Sequence, residues 1–316
     1  MSVAVVFSGQ GNQHPAMLPW LDDDASLSSL SARLGVPDWR AALADPAWAR
    51  TNANAQVVIT ATALVAWSQL SSRLASGSIE IEGVAGYSVG ELAACAAAGV
   101  IAPDEAVALA ARRAALMDDA SLERPGGLCG VTGLAATEIE AALTGTSVSI
   151  AIRNGDDSVV IGGPVEAGAQ DTPDAAATLD AVAATLAARG ARCTRLAVSV
   201  ASHTPLMRSA AQAFGTALST AGLRDPTLAL FDSDANRVWN GAQARAGLTR
   251  QIAHTVRWDE VMDQLAARAP SCVLEIGGGQ ALARLWQQRH PSIPARSADE
   301  FRTLDGVLAW IERSAP

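Results

Sequence analysis

The pentapeptide Gly86-Tyr87-Ser88-Val89-Gly90 joins a short apolar run, Gly83–Gly86, to an Ala-rich stretch running from Ser88 towards Gly99. This junction restricts the fold more than any other feature of the chain, because a strand that turns sharply into a helix lifts a serine hydroxyl out of a sheet. Glycines flank the serine where the backbones of strand and helix leave no room for side chains. The unpaired N–H groups and positive dipole end of the following helix face the same point, which favours the anion formed when serine attacks an ester or thioester. Ser88 is therefore read as the nucleophile of an acyl-transfer enzyme, with Val89 N–H as an oxyanion donor.

The elbow sits in an alternating pattern. Val3–Phe7 reads as a buried strand, Gln56–Ala75 as a helix, Gly83–Gly86 as a strand, and Pro103–Asp118 as a helix opening on acidic residues that suit its N-terminus. Such alternation implies a mainly parallel sheet with covering helices. After a turn-rich seam at Arg124–Gly127 the order becomes strand Leu128–Gly133, helix Thr137–Leu143, strand Ser147–Ile152, strand Ser158–Ile161, helix Ala175–Arg189 and strand Cys193–Val198. A β-α-β-β-α-β order is the ferredoxin-like unit. The expected architecture is α/β: a large α/β-hydrolase-like domain made of residues 1–124 and 198–316, with an inserted ferredoxin-like subdomain at 125–197. Gly162–Pro173, rich in Gly, Pro and Asp, reads as a surface loop.

Composition excludes several chemistries. All 23 basic residues are arginine, so no Schiff base, pyridoxal phosphate attachment or P-loop lysine is available. A net charge of −9 without a basic tract disfavours nucleic acid or an anionic membrane as partner. The longest apolar stretch, Leu92–Ala102, is too short to cross a bilayer, and the N-terminus carries no basic region or signal-length apolar run, so a cytoplasmic location is expected. Cys95, Cys129, Cys193 and Cys272 show no Cys-x-x-Cys spacing, which points to buried apolar side chains rather than a zinc site or disulfides.

A serine nucleophile needs a base, and the imidazoles available are His14, His203, His254 and His290. His203, in Ser202-His203-Thr204-Pro205, follows a strand taken to end near Val200, in a turn of the kind that carries catalytic side chains. His290 ends a helix, where capping is enough to explain it. The first βα connection, Phe7–Gln13, lacks the third glycine of a dinucleotide loop, and no acidic residue ends a second strand about twenty residues later. Its Gly-Gln-Gly backbone is either a plain turn or the source of a second oxyanion donor, Gln10 N–H. Arg112 and Arg113 diverge by about 100° on their helix, so at most one faces a cleft. If one is buried beside Ser88, its guanidinium would bind a substrate carboxylate and select a dicarboxylic acyl group.

Taken together, Phe7-Ser8-Gly9-Gln10-Gly11-Asn12-Gln13, Gly86-Tyr87-Ser88-Val89-Gly90-Glu91, Arg113-Ala114-Ala115-Leu116-Met117, Ser202-His203-Thr204-Pro205-Leu206-Met207, Gln251–Trp258 and Glu275–Gly279 resemble the malonyl-CoA:acyl carrier protein transacylases. The resemblance implies that Ser88 is acylated, that His203 is its base and that Arg113 clamps the malonyl carboxylate. It further implies an oxyanion hole from Gln10 and Val89. Gln251 matches the residue whose backbone carbonyl orients the histidine in place of a triad acid, with its side chain near the substrate carboxylate. Asn154 matches a position facing the cleft, and the inserted subdomain is also the family's architecture. No metal or permanently bound cofactor is implied; malonyl-CoA is the substrate, coenzyme A the product and an acyl carrier protein the partner.

The chain departs from the family pattern at Tyr87, where histidine is usual, and at Ser8, Thr255 and Gly278, where proline is usual. Gly-Tyr-Ser-Val-Gly-Glu together with Gly-Gln-Gly-Asn-Gln-His-Pro is most similar to the malonyl-transferring epsilon subunits of bacterial malonate decarboxylases. The expected acceptor is then the carrier subunit of that complex, docking on arginines such as Arg189, Arg192 and Arg195. The alternative is a transacylase of fatty-acid or polyketide synthesis. Two readings from other classes remain: an α/β-hydrolase esterase or thioesterase, whose histidine lies near the C-terminus, and a non-catalytic scaffold subunit.

Overall fold

The computed structural model describes residues 1–22, 25–77, 79–165 and 178–314. In chain order it runs β1 (Ser2–Phe7), α1 (Ala25–Arg33), α2 (Trp39–Ala42), α3 (Pro46–Arg50), α4 (Asn52–Ser76), β2 (Glu80–Gly86), α5 (Gly90–Ala97) and α6 (Pro103–Glu123). There follow β3 (Gly126–Thr132), α7 (Ala136–Leu143), β4 (Ser149–Gly155), β5 (Ser158–Pro164), α8 (Leu179–Ala188) and β6 (Arg192–Arg195). The chain ends with α9 (Arg208–Ser219), β7 (Leu230–Phe231), β8 (Arg237–Val238), α10 (Gly241–Arg250), β9 (Val256–Arg257), α11 (Trp258–Ala266), β10 (Cys272–Ile276), α12 (Ala281–Arg289), β11 (Ala295–Ser297) and α13 (Leu304–Arg313).

Two mixed sheets form. The larger has the order β11-β10-β1-β2-β7-β8, all parallel except the last pair. Its central strand is apolar without alternation, Val3 to Phe7 all buried, because helices cover both faces. The longest helix, α4, is buried on every side from Ala55 to Ala66, a stretch that is apolar but for Gln56, Thr60 and Thr62. α6 starts where Pro103 occupies the first turn, with Asp104 and Glu105 set against the helix dipole.

The smaller sheet has the order β6-β3-β5-β4-β9, with antiparallel pairing among β3 to β6. Its fifth strand, Val256–Arg257, comes from outside the expected insert and pairs in parallel with β4. Alternation along β5 splits the sheet's faces: Val159 and Ile161 pack under α7 and α8, while Val160 turns to a cluster holding Trp258, Met262 and Trp286. That second face looks towards the large sheet, and the site lies between them.

Several sequence boundaries move. The seam at Gly126–Gly127 is strand, not turn, since these residues pair with Pro164 and Gly163 and a Cβ on Gly126 would lie 2.7 Å from Ala201 Cβ. For the same reason Gly162–Pro164 belongs to β5 and is buried rather than a surface loop; the rest of that loop, from 166, and the first residues of the expected helix at 175–177, lie outside the described residues. β6 stops at Arg195, so no strand leads into His203. Cys95, Cys129 and Cys272 are buried as expected, whereas Cys193 on the edge strand is only half-buried. No described helix is long and apolar enough to cross a membrane.

Candidate active site

β2 delivers the chain to the elbow and close packing fixes its shape. A Cβ on Gly86 would lie 2.1 Å from Gly90 O, and one on Gly90 would lie 2.3 Å from Phe7 O. Between them Ser88 holds a left-handed φ of 56°, a conformation that costs a non-glycine residue about 1–3 kcal/mol and persists where the surroundings impose it. The helix begins at Gly90, two residues later than the sequence suggests, because Ser88 is not helical.

His203 also has a left-handed φ, 63°, in the turn before a short 3-10 segment, Pro205–Met207. Two successive carbonyls hold it: its N–H donates to Ile252 O at 2.8 Å, and Nδ1 donates to Gln251 O at 2.5 Å. A carbonyl only accepts, so the proton is on Nδ1 and the opposite nitrogen is an acceptor. That nitrogen, Nε2, is 2.8 Å from Ser88 Oγ. Burial, and then the nearby Arg113 charge, pull the imidazole down to about 3, so it is a neutral base at ordinary pH.

Arg113 is buried on α6 whereas Arg112 is exposed. Its Nη1 donates to Gln56 Oε1 at 2.8 Å, and its Nη2 donates to Gln251 Oε1 at 3.1 Å and approaches Ser88 Oγ at 3.4 Å. Burial lowers the guanidinium to about 10, which leaves it charged at neutral pH. Among the described residues no carboxylate pairs with it, and its Nε has no partner. Gln251 thus serves twice, its carbonyl on the histidine and its side chain between Arg113 and Ser88 O, to which Nε2 donates at 3.2 Å.

A cavity of about 330 Å³ opens at Ser88 and His203, lined also by Ser8, Gln10 and Tyr87 from the large sheet's side and by Leu128 and Asn154 from the small sheet. Among the described residues neither Gln10 N–H nor Val89 N–H has an acceptor. Tyr87 packs edge-on to Trp258 at 5.3 Å and donates its hydroxyl to Asn154 Oδ1 at 3.0 Å, tying the two sheets together. Burial pushes the phenol well above its ordinary range, so it keeps that proton. The other histidines stand apart: His14 pairs with Asp299, His254 is exposed, and His290 caps α12 beside Asp263.

The family model for the acyl transferase domain matches residues 44–298. The chain belongs to this family. The acyltransferase is 32% identical to the malonyl CoA-acyl carrier protein transacylase of Mycobacterium tuberculosis, over 96% of its own length and 98% of the relative's. It is 29% identical to the corresponding transacylase of Escherichia coli, again over 96% and 98%. Among solved structures, the acyl-carrier-protein S-malonyltransferase of Burkholderia pseudomallei matches with a TM-score of 0.84 at 28% identity, covering 98% of the acyltransferase and 100% of that chain. A malonyl-transacylase in complex with a type II PKS acyl-carrier protein matches with a TM-score of 0.86 at 27% identity, covering 98% and 99%.

The structure brings Ser88, His203, Arg113 and Gln251 into one hydrogen-bonded group, and adds residues that the sequence reading passed over. Gln56 holds Arg113, and Asn52 holds Gln56 through a 2.7 Å bond while reaching Asp118 on α6. Two amides four residues apart, on one face of a helix long and apolar enough in its middle to be buried, were the available signal, since buried polar groups are hydrogen-bonded.

Proposed function

We propose that the acyltransferase moves a malonyl group from malonyl-CoA, through an ester on Ser88, to the thiol of an acyl carrier protein. The observation that carries this reading is the position of Ser88 Oγ, 2.8 Å from a neutral histidine nitrogen and 3.4 Å from a buried guanidinium without a carboxylate partner. A nucleophile set beside an unneutralised cation suits an acyl group that ends in an anion.

In the proposed sequence His203 Nε2 takes the proton of Ser88 as Oγ attacks the thioester carbonyl, and the N–H groups of Gln10 and Val89 stabilise the oxyanion. The C–S bond breaks, His203 returns the proton to sulfur, and coenzyme A leaves as a thiol. The carrier thiol then gives its proton to His203, attacks the malonyl ester and leaves as malonyl thioester, returning the hydrogen to Ser88. Arg113 holds the distal carboxylate throughout, with Gln56 and Gln251 fixing its fork.

On the same footing we read residues 1–124 and 198–316 as a hydrolase-like large domain and 125–197 as a ferredoxin-like insert. The acceptor we favour is the carrier subunit of a malonate decarboxylase, because Gly-Tyr-Ser-Val-Gly-Glu together with the Gly-Gln-Gly-Asn-Gln-His-Pro loop resembles the subunit that serves it; a carrier of fatty-acid or polyketide synthesis is the second reading, favoured by the relatives' names. Arg189, Arg192 and Arg195 are exposed, and Leu196 beside them lines the cavity, which suits an acidic carrier delivering its arm there.

Intact-mass measurement after mixing with malonyl-CoA tests the reading: one malonyl adduct per chain is expected, absent in Ser88→Ala. Steady release of malonate without any carrier would instead indicate a thioesterase, and no adduct at all a scaffold. Transfer to a malonate-decarboxylase carrier and to a fatty-acid carrier, compared side by side, decides the acceptor.

A further inference from the structure

The loop that carries Gln10 is held by a part of the chain to which no catalytic group has been assigned. Ser8 N–H donates to Ile276 O at 3.0 Å as the chain leaves β1. Ser8 Oγ donates to Glu275 Oε1 at 2.7 Å, and Glu275 Oε2 accepts from Ala283 N–H, in the first turn of α12, at 2.8 Å. Ser8 and Glu275 are both buried and both back onto the catalytic cavity.

The glycines after Glu275 press against the same loop. A Cβ on Gly277 would lie 2.4 Å from Ser8 Oγ, one on Gly278 2.9 Å from Asn12 O, and one on Gly279 2.9 Å from Asn12 Cβ. The far end of the loop is fastened by Asp299, which accepts from Gly279 N–H at 2.7 Å and Leu18 N–H at 2.5 Å and pairs with His14 Nε2 at 2.8 Å. Two carboxylates therefore bracket the segment from Ser8 to Leu18 against the turn that follows β10. Among the described residues neither bonds to Ser88 or His203.

A carboxyl group buried without a cation is costly, and Glu275 is pushed up to about 7, chiefly by that burial. Such a group is retained where a defined geometry depends on it. A displacement of a fraction of an ångström in an oxyanion donor weakens it in the transition state while leaving ground-state binding almost untouched.

We infer that Glu275, acting through the Ser8 hydroxyl, is a positioning residue that sets the direction of Gln10 N–H towards the oxyanion. The inference rests on the acyl-transfer reading of Ser88. Ser8→Ala removes the tether and leaves the small residue's packing almost intact. Glu275→Gln keeps it, because the amide oxygen can accept from Ala283 N–H while the amide N–H₂ donates to Ser8 Oγ, a hydroxyl being both donor and acceptor.

The test is the rate of Ser88 acylation by malonyl-CoA in single turnovers, with KM and the thermal midpoint measured alongside. Ser8→Ala is expected to slow acylation by roughly 10–100-fold with KM changed by less than about twofold, short of the 10²–10³ that removal of a whole oxyanion donor costs. Glu275→Gln should stay within about threefold of the parent, since both contacts persist. Acylation of Ser8→Ala at the parent rate, or a rise in KM matching the fall in kcat, overturns the inference while leaving acyl transfer intact. A parent chain that forms no acyl-serine ester fails the underlying reading instead. Glu275→Leu, which cannot make either bond, is a second variant expected to fall at least as far as Ser8→Ala; parent-like acylation by a folded Glu275→Leu overturns the inference as well.

Discussion

Gln251 presents a backbone carbonyl to His203 Nδ1 at 2.5 Å, so a neutral acceptor stands where a serine triad has a carboxylate. The carbonyl fixes the tautomer as an aspartate would, yet it adds no negative charge to stabilise an imidazolium. With burial and Arg113 both opposing protonation, the histidine of the free enzyme sits at about 3.

The pH profile of acylation follows from that value. An ordinary histidine with a pKa near 6.5 would be only about 3% neutral at pH 5. Here the base form predominates down to about pH 3, so kcat/KM for acylation should be level between pH 5 and 8. Stopped-flow acylation across that range checks it, and a loss of activity centred near 6.5 would show the histidine to be unshifted. A malonyl carboxylate on Arg113 removes part of the opposing charge, so the profile of kcat should turn down at a higher pH than that of kcat/KM.

Arg113 is the residue on which acyl selectivity should depend. Its charged hydrogen bonds are each worth about 1.5–3 kcal/mol, so Arg113→Ala should lower kcat/KM for malonyl-CoA by roughly 10–100-fold or more. Acetyl-CoA has no distal carboxylate, and its transfer by the variant should persist. Arg113→Lys should resemble Arg113→Ala, because an ammonium cannot span Gln56 and Gln251 at once as the planar fork does. Competition between the two thioesters measures the ratio; an unchanged preference for malonyl in Arg113→Ala removes the clamp assignment.

Legibility in the sequence followed the range of the interaction. The elbow was readable because glycine, serine and glycine satisfy a local steric demand, and the 2.1 and 2.3 Å approaches at Gly86 and Gly90 are that demand made visible. Ser88, His203, Arg113 and Gln251 were named from motifs, and they do converge. The sequence missed what depends on distant pairing: β9 joining the small sheet from residue 256, and Gly126–Gly127 and Gly162–Pro164 becoming strand through pairing with each other. It also missed the tether from Ser8 to Glu275, 267 residues apart, since neither residue alone suggests the other.

The elbow's steric demand leads to a stability prediction. At Gly90 a methyl group would meet Phe7 O and Ser8 O, backbone atoms at 2.3 and 2.7 Å that cannot swing aside. Overpacking in a well-filled interior costs about 1–3 kcal/mol, and a backbone clash lies at or above the top of that range. Gly90→Ala should therefore lower the unfolding free energy by about 3 kcal/mol or more, and should also reduce acylation by moving the loop at Ser8. Gly222→Ala, where open space surrounds the position, is the control and should be close to neutral. Urea unfolding of both variants checks the contrast, and equal midpoints would mean that the elbow yields more easily than its contacts imply.

Glu91 lies under the elbow in the first turn of α5, almost fully buried, and accepts a hydrogen bond from the Ser233 hydroxyl. Burial, followed by the charge of Asp232, raises its carboxyl to about 8. The folded protein therefore holds a proton that the unfolded chain releases above about 4.5, so this contribution to stability is fully present below that pH and is lost as pH rises through 8. His203 acts in the opposite sense, but between about 3 and 6.5, and Glu275 acts in the same sense only up to about 7. The window from pH 7 to 8 thus isolates Glu91 best, and stability should fall across it by about 1 kcal/mol, the slope easing from 1.36 kcal/mol per pH unit as the carboxyl ionises. Glu91→Gln keeps an oxygen for the Ser233 hydroxyl and cannot titrate, so its thermal midpoint should vary less between pH 7 and 8. An equal fall in midpoint for the variant and the parent would place the released proton on another group.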